Sequence, residues 1–236
     1  MSYEYAGTRV PGYPLVETPD GHFGMPVGSS SLSDHIRPTS DGEFEQWLNE
    51  GALVSTPNGQ RPVETLLAGD SLLTLDSQTT PLLGRDAGYI DTLMDDPLHV
   101  LPVCIPAGAL AEGLPARNLM LSPAQAMLID NVLVEARCLV DGMLITRLPP
   151  MPGGLRVHRL RTARHVLLSV ESTILESCFV PPGGPYLEGW AAKEVPSHDT
   201  GLLTTLPYPR ARSVRQLPRG IRTKLAARAA QIQQTS

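Results

Sequence analysis

Short apolar runs separated by turn residues dominate the middle of this 236-residue chain. Glycine, proline, asparagine or aspartate interrupts nearly every run, and these residues supply the backbone geometry of turns. Such runs predict short β-strands rather than helices, and their close spacing predicts an all-β sandwich or barrel-like fold. The predicted strands cover residues 52–56, 71–75, 99–105, 118–121, 126–129, 132–134, 166–170 and 177–180.

Three stretches outside these strands carry weaker patterns. Residues 43–49 predict one short helix that ends at Gly51, and residues 135–140 predict a single helical turn. Residues 76–96 are polar and rich in turn formers, which predicts a long loop or a weak hairpin.

The C-terminal part of the chain predicts a linker followed by a helix. Residues 186–213 have the composition of an irregular linker, and residues 214–233 are helix-forming and rich in alanine. Ile221, Leu225 and Ile232 share one face with Ala229, and such a thin apolar stripe indicates a helix that docks on another core.

Charge is divided unevenly along the chain, whose formal net charge is −5. Residues 1–100 carry 15 acids and 4 bases, whereas residues 206–236 carry seven bases and no acid. This basic tail is solvated, docks on the acidic half of the chain, or binds an anionic partner. The overall acidic charge argues against nucleic acid as that partner. The partner-binding candidates are Arg215, Arg219, Arg222, Lys224 and Arg228.

Cysteine and histidine positions predict neither disulfides nor a metal site. Cys104, Cys138 and Cys178 are widely spaced in apolar surroundings, which favours buried free thiols. The six histidines lack zinc-like spacing, and no glycine-rich phosphate loop is present, so we predict no metal and no cofactor. Neither a signal peptide nor a membrane span is predicted, which favours a cytoplasmic protein with export by another route left open.

Four blocks of the chain resemble the bacterial Hint (Hedgehog/intein-type) family. They cover residues 51–70, 102–117, 121–140 and 164–177, and they follow each other in the order of the family. The first block contains Pro62-Val-Glu-Thr-Leu66 followed by Gly69-Asp70, which is similar to the opening of the family. The resemblance implies a compact, pseudo-symmetric and mainly β Hint-like fold, here with an irregular N-terminal extension and a C-terminal helix.

The same resemblance implies self-cleavage by acyl transfer, for which this chain lacks two key groups. The family nucleophile, a Cys or Ser, lies four residues before the glycine that matches Gly51, and Trp47 stands there. The general-acid histidine ends a Thr/Ser-x-x-His block, which here reads from Ser122 to Gln125. An indole is no acyl nucleophile, and an amide delivers no proton near neutral pH. His165 fits a later histidine position of the family and His158 lies near another, as remnants of a catalytic pocket or as ordinary histidines.

We therefore predict a non-catalytic structural or interaction module on a degenerate Hint fold, with a protein partner or self-association. The vestigial-site candidates are Trp47, Gly51, Ser122, Gln125, His158 and His165. One alternative is a residual processing or hydrolytic domain that uses Ser122, His165 or a cysteine, and another is an anion-binding tail. The predicted organisation is an N-terminal extension (1–44), a Hint-like β-domain (45–183), and a linker with a basic C-terminal helix (184–236).

Overall fold

A computed structural model describes residues 4–5, 8–9, 16–17, 23–24, 46–90, 92–93, 100–150, 152, 154–179 and 206–235. The chain divides into two compact units, Met1–Asp34 and His35–Ser236. Two short antiparallel hairpins form in the first unit. Their strands are β1 (Glu4–Tyr5), β2 (Thr8–Arg9), β3 (Val16–Glu17) and β4 (Phe23–Gly24), paired β1 with β2 and β3 with β4.

The second unit contains two β-sheets, so the predicted mainly β fold class is confirmed. One sheet has the order β14-β10-β11-β5-β15-β9-β8, with β18 paired to β15. Its strands are β5 (Leu48–Asn49), β8 (Ser71–Leu73), β9 (Thr79–Ile90), β10 (Val103–Ile105), β11 (Leu119–Leu121), β14 (Thr146–Arg147), β15 (Leu155–Thr162) and β18 (Cys178–Phe179).

The other sheet has the order β19-β13-β12-β17-β16-β6-β7. Its strands are β6 (Leu53–Thr56), β7 (Gly59–Pro62), β12 (Ala126–Ile129), β13 (Val132–Glu135), β16 (Leu167–Val170), β17 (Thr173–Glu176) and β19 (Arg210–Ala211). Each of the eight predicted strands overlaps one observed strand. The predicted turn at 135–140 is a 3-10 helix, Ala136–Leu139, and two others are Val63–Thr65 and Val214–Gln216.

Two predictions for local structure are wrong. Residues 46–49 are not helical, because Leu48 pairs with Leu121 on one side and with His158 on the other. The polar stretch 76–96 is not a loop over most of its length. It contains the 12-residue strand β9, which pairs with β8 over residues 79–81 and with β15 over residues 82–90. An ion pair of 2.9 Å between Asp86 and Arg161 also links β9 to β15.

An aliphatic core joins both sheets to the C-terminal segment, which we define as residues 206–235. The main cluster of buried side chains includes Val54, Leu82, Val103 and Leu168. From the C-terminal segment it includes Ala211, Leu217 and Ile221, with Leu225 packed against it. Helix α1 (Arg219–Thr235) therefore docks through its apolar face, as predicted.

Candidate functional site

Ser122 ties the backbone of Trp47 to the turn that follows β11. Its hydroxyl oxygen accepts the backbone N–H of Trp47 at 3.3 Å and that of Gln125 at 3.0 Å. The N–H of Ser122 in turn donates to the carbonyl of Trp47 at 3.2 Å. All three residues are buried. Two adjacent backbone donors therefore occupy the Ser122 hydroxyl oxygen, which acts as a structural acceptor.

The side-chain amide of Gln125 donates its hydrogen bonds to backbone carbonyls. Its Nε2 donates to the carbonyl of Glu176 at 2.8 Å and, more weakly, to that of Ala126 at 3.3 Å. A primary amide carries two N–H donors and no titratable proton in this pH range. Gln125 thus links β12 to β17 and cannot supply a proton to a departing amide.

Glu176, at the end of β17, is the buried anion of the site. Its carboxylate accepts from His165 Nε2 at 2.7 Å and from Gln46 Nε2 at 2.6 Å, and it pairs with the guanidinium of Arg210. Burial raises the pKa of Glu176, but the hydrogen bonds from His165 and Arg210 outweigh it and hold that pKa below its ordinary value. The carboxylate is therefore ionised at neutral pH.

His158 is a fully buried neutral imidazole on β15. Its Nδ1 lies 2.9 Å from a guanidinium nitrogen of Arg85, which can only donate, so Nδ1 accepts and Nε2 carries the hydrogen. Burial first, and then the charges of Arg85 and Arg156, lower the pKa of His158 to about 4. Within the described part of the chain, Nε2 is buried without a hydrogen-bond partner.

A small cavity brings most of these groups together. Its volume is about 20 Å³, which is roughly the space one water molecule needs. The polar and aromatic groups on its wall come from Gln46, Trp47, Gln125, His158, Arg159, Glu176, Ser177 and Cys178. Trp47, Gln125 and His158 thus converge, with Ser122 bonded behind two of them and His165 bonded to Glu176.

Gly51 lies apart from this cavity in the turn between β5 and β6. Its φ of +82° is a conformation that glycine adopts without steric cost. Its N–H donates to Glu64 at 2.8 Å, and its carbonyl accepts from Arg117 at 2.8 Å. Arg117 also pairs with the buried carboxylate of Glu171, which accepts the N–H of Leu53 at 2.7 Å. Gly51 therefore serves the scaffold rather than the cavity.

The cysteines are free thiols, and two of them are poor nucleophiles. Burial raises the pKa of Cys104, and burial followed by the nearby Glu135 raises the pKa of Cys138 to about 11. Because the thiolate is the reactive form, both thiols are almost fully protonated near neutral pH. Cys178 is half-buried on the cavity wall. Among the described residues, no group of three or more histidine, cysteine, aspartate or glutamate side chains could hold a metal ion.

The five basic partner-binding candidates divide into two groups. Lys224 pairs with Asp130 at 2.6 Å, and Arg228 donates to the carbonyl of Gly108 at 2.7 Å, so both hold α1 against the β-sheets. Arg215, Arg219 and Arg222 are exposed and form no ion pair with a described residue.

Sequence reasoning assigned no role to Glu176, Gln46 or Arg210. Glu176 carried a usable signal, since it is the one charged residue between Thr173 and Phe179. Arg210 carried none, because it is one of seven bases in the tail and only the pairing of β19 with β13 selects it.

Two β-sheets around an aliphatic core, with a polar cluster where β5, β12 and β17 approach each other, make this a mainly β domain. The family model described as "Hint domain" matches residues 48–182, more than half of the chain. The chain therefore belongs to the Hint domain family.

Solved structures with a similar fold include two inteins and an intein-like domain. The gp41-1 intein is 11% identical, with 57% of this chain and 99% of that chain covered and a TM-score of 0.38. The MchDnaB-1 intein is 12% identical, with 56% and 99% covered and a TM-score of 0.38. The bacterial intein-like domain from Clostridium thermocellum is 12% identical, with 57% and 99% covered and a TM-score of 0.39. No curated protein matches the sequence significantly.

Among the helices that the structure describes, none combines the length and the apolar composition needed to cross a bilayer.

Proposed function

We propose that this chain is a Hint-domain protein that does not process itself and that serves as a structural or interaction module. The observation that carries the proposal is the pair of residues at the expected reactive positions. Trp47 and Gln125 are both buried, and neither side chain can attack a carbonyl or deliver a proton.

The contacts around these residues support the same proposal. The Gln125 amide is committed to the carbonyls of Glu176 and Ala126, and the Ser122 hydroxyl oxygen accepts two backbone N–H groups. His158 is neutral at physiological pH and His165 is bonded to Glu176. The side chains of Ser122, Gln125 and His165 are thus each committed to a structural contact.

The proposal is tested by restoring the two missing groups in the full chain. We expect Trp47→Cys with Gln125→His to gain thiol-inducible cleavage between Gln46 and residue 47. In that reaction the new thiol attacks the carbonyl of Gln46, the amide nitrogen leaves with a proton, and an added thiol releases residues 1–46. The wild-type chain and either single variant should stay intact by mass spectrometry. Cleavage of wild type at the rate of the double variant would overturn the proposal. An inert double variant would contradict our assignment of the loss to these two residues.

A role in binding an anionic partner is the second candidate, and the exposed Arg215, Arg219 and Arg222 favour it. Neutralising these three residues together to glutamine should weaken binding to a polyanion such as heparin at low salt. The matched control is Arg61, Arg156 and Arg164 changed to glutamine, which gives the same net charge at positions outside the C-terminal segment. Equal loss in both variants would show a general charge effect and contradict a site on the tail.

A further inference from the structure

One buried carboxylate joins three separate parts of the chain. Glu176 accepts from Gln46, which precedes the family-matched residues 48–182, and from His165, which lies within them. It also pairs with Arg210, which follows them. Both flanks of the matched region therefore meet at a single side chain that is itself 1% exposed.

Because Glu176 carries a buried charge, the stability of its contacts depends on the donors and the cation that surround it. Removing a carboxylate from water is unfavourable unless hydrogen bonds and a cation replace the lost hydration. Gln46 supplies a neutral donor, whereas the Arg210 guanidinium supplies a permanent positive charge. Loss of that cation would favour rotation of the carboxylate towards solvent or its protonation, and either change weakens its contact with Gln46.

The position of Arg210 depends in turn on docking of the C-terminal segment. Arg210 and Ala211 form β19, which pairs in parallel with Leu133 and Val134 of β13. The carbonyl of Ala211 lies 3.5 Å from the thiol of Cys138, and the N–H of Leu133 donates to the carbonyl of Pro209 at 2.9 Å. Arg210 therefore reaches Glu176 only while this segment lies against β13.

We propose that docking of the C-terminal segment is coupled through Glu176 to the chain at Gln46 and Trp47. The segment acts on Gln46 through this one carboxylate, because Arg210 completes the charge balance of the group that holds Gln46. The coupling is reciprocal, as any coupling between two binding equilibria must be. It is independent of whether the cavity retains any self-cleaving activity.

The test uses the full chain with Trp190→Phe, which leaves Trp47 as the only tryptophan. Arg210→Gln removes the cation, and Arg212→Gln is the matched control. Arg212 lies on the same segment and approaches Glu135 at 3.7 Å, but it makes no contact with Glu176. The measurements are acrylamide quenching of Trp47 fluorescence and hydrogen exchange of the amides of residues 46–49.

We expect Arg210→Gln to accelerate exchange at residues 46–49 by about tenfold, the scale of a lost hydrogen bond to a charged group. Quenching of Trp47 should rise in parallel, and Arg212→Gln should change neither. The proposal is overturned if exchange accelerates at residues 206–217 but not at 46–49, since Arg210 would then anchor only its own segment.

A second variant keeps the test decisive if Arg210→Gln does not fold. Glu176→Gln preserves the shape of the side chain and removes its charge. Because Arg210 then loses its anionic partner, we expect hydrogen exchange to accelerate at residues 206–217. An unchanged exchange rate at residues 206–217 in Glu176→Gln would overturn the proposal. Where Arg210→Gln folds, combining it with Glu176→Gln gives a double-mutant cycle for the pair. Additive effects of the two substitutions on exchange at residues 46–49 would contradict the coupling.

Discussion

Two buried glutamates lie at opposite ends of β17, and their carboxylates bind different parts of the chain. Glu171, in the turn before the strand, accepts from the backbone of Leu53 and pairs with Arg117. Glu176, at the end of the strand, binds Gln46, His165 and Arg210. Both side chains are 1% exposed.

The difference lies in which parts of the chain each carboxylate connects. All of the Glu171 partners named above lie within the family-matched residues 48–182, whereas two of the Glu176 partners lie outside them. Glu171 therefore stabilises the shared scaffold. Glu176 instead ties the matched residues to the two segments that flank them.

The largest expected effect comes from removing each carboxylate in turn. We expect Glu171→Ala and Glu176→Ala each to lower the free energy of unfolding by about 3 kcal/mol, because each leaves buried donors or cations unpaired. In urea titrations the two losses should be similar. In the Trp190→Phe background, only Glu176→Ala should raise the acrylamide quenching of Trp47 in the folded protein.

Asp130→Ala is the matched control for these two variants. Asp130 shares the φ of +48° seen at Glu171, but its ion pair with Lys224 is exposed. We expect a change of less than about 0.5 kcal/mol. A loss as large as that of Glu171→Ala would mean that backbone conformation, rather than charge pairing, sets the cost.

A smaller effect should come from His158, the buried base on the same cavity wall as Glu176. Its pKa in the folded chain is about 4, below the ordinary 6.5, so acid protonates the unfolded chain first and favours unfolding. This group should remove about 2 kcal/mol of stability between pH 7 and pH 5. The measurement is the unfolding free energy across that range.

His158→Gln should flatten the pH dependence across that window relative to wild type, while retaining a side-chain acceptor for Arg85. His165→Gln is the comparison variant, since it changes an imidazole outside the cavity wall. An unchanged slope in His158→Gln would contradict the assignment of a buried neutral imidazole.

The smallest effect should follow loss of the Ser122 hydroxyl. Ser122→Ala leaves the N–H groups of Trp47 and Gln125 without this acceptor, which should cost about 1–2 kcal/mol. Ser55→Ala is the control, because its hydroxyl contacts only the half-buried Ser169 hydroxyl at 3.0 Å. Equal losses of unfolding free energy in both variants would show that the buried Ser122 hydroxyl stabilises the fold no more than the Ser55 hydroxyl does.

Local chemistry made part of the fold predictable from sequence. Strand β12 was predicted at its observed bounds because its four apolar residues end at Asp130 and Asn131. Both of these residues have positive φ and form the tight turn into β13. Strand β9 could not be predicted in this way. It contains a proline and two glycines, and pairing with the distant β15 stabilises it.

The site was predictable to a similar degree. Trp47, Ser122 and Gln125 follow from the family resemblance, and the structure brings them together. Arg210 depends on a strand pairing beyond the matched region, and Gly51 proved to lie away from the cavity. The family resemblance therefore locates Trp47, Ser122 and Gln125 in the sequence. The contact of Arg210 with Glu176 can be identified only from the tertiary structure.

The most direct test of the central claim is the intact mass of the purified wild-type chain after prolonged incubation with thiol or hydroxylamine. Both reagents release an acyl group that has moved from a backbone nitrogen to a side chain. We predict one unchanged mass, because the indole of Trp47, at the expected nucleophile position, cannot form such an ester or thioester. A fragment that begins at Trp47, or any nucleophile-dependent break between residues 46 and 51, would contradict the account.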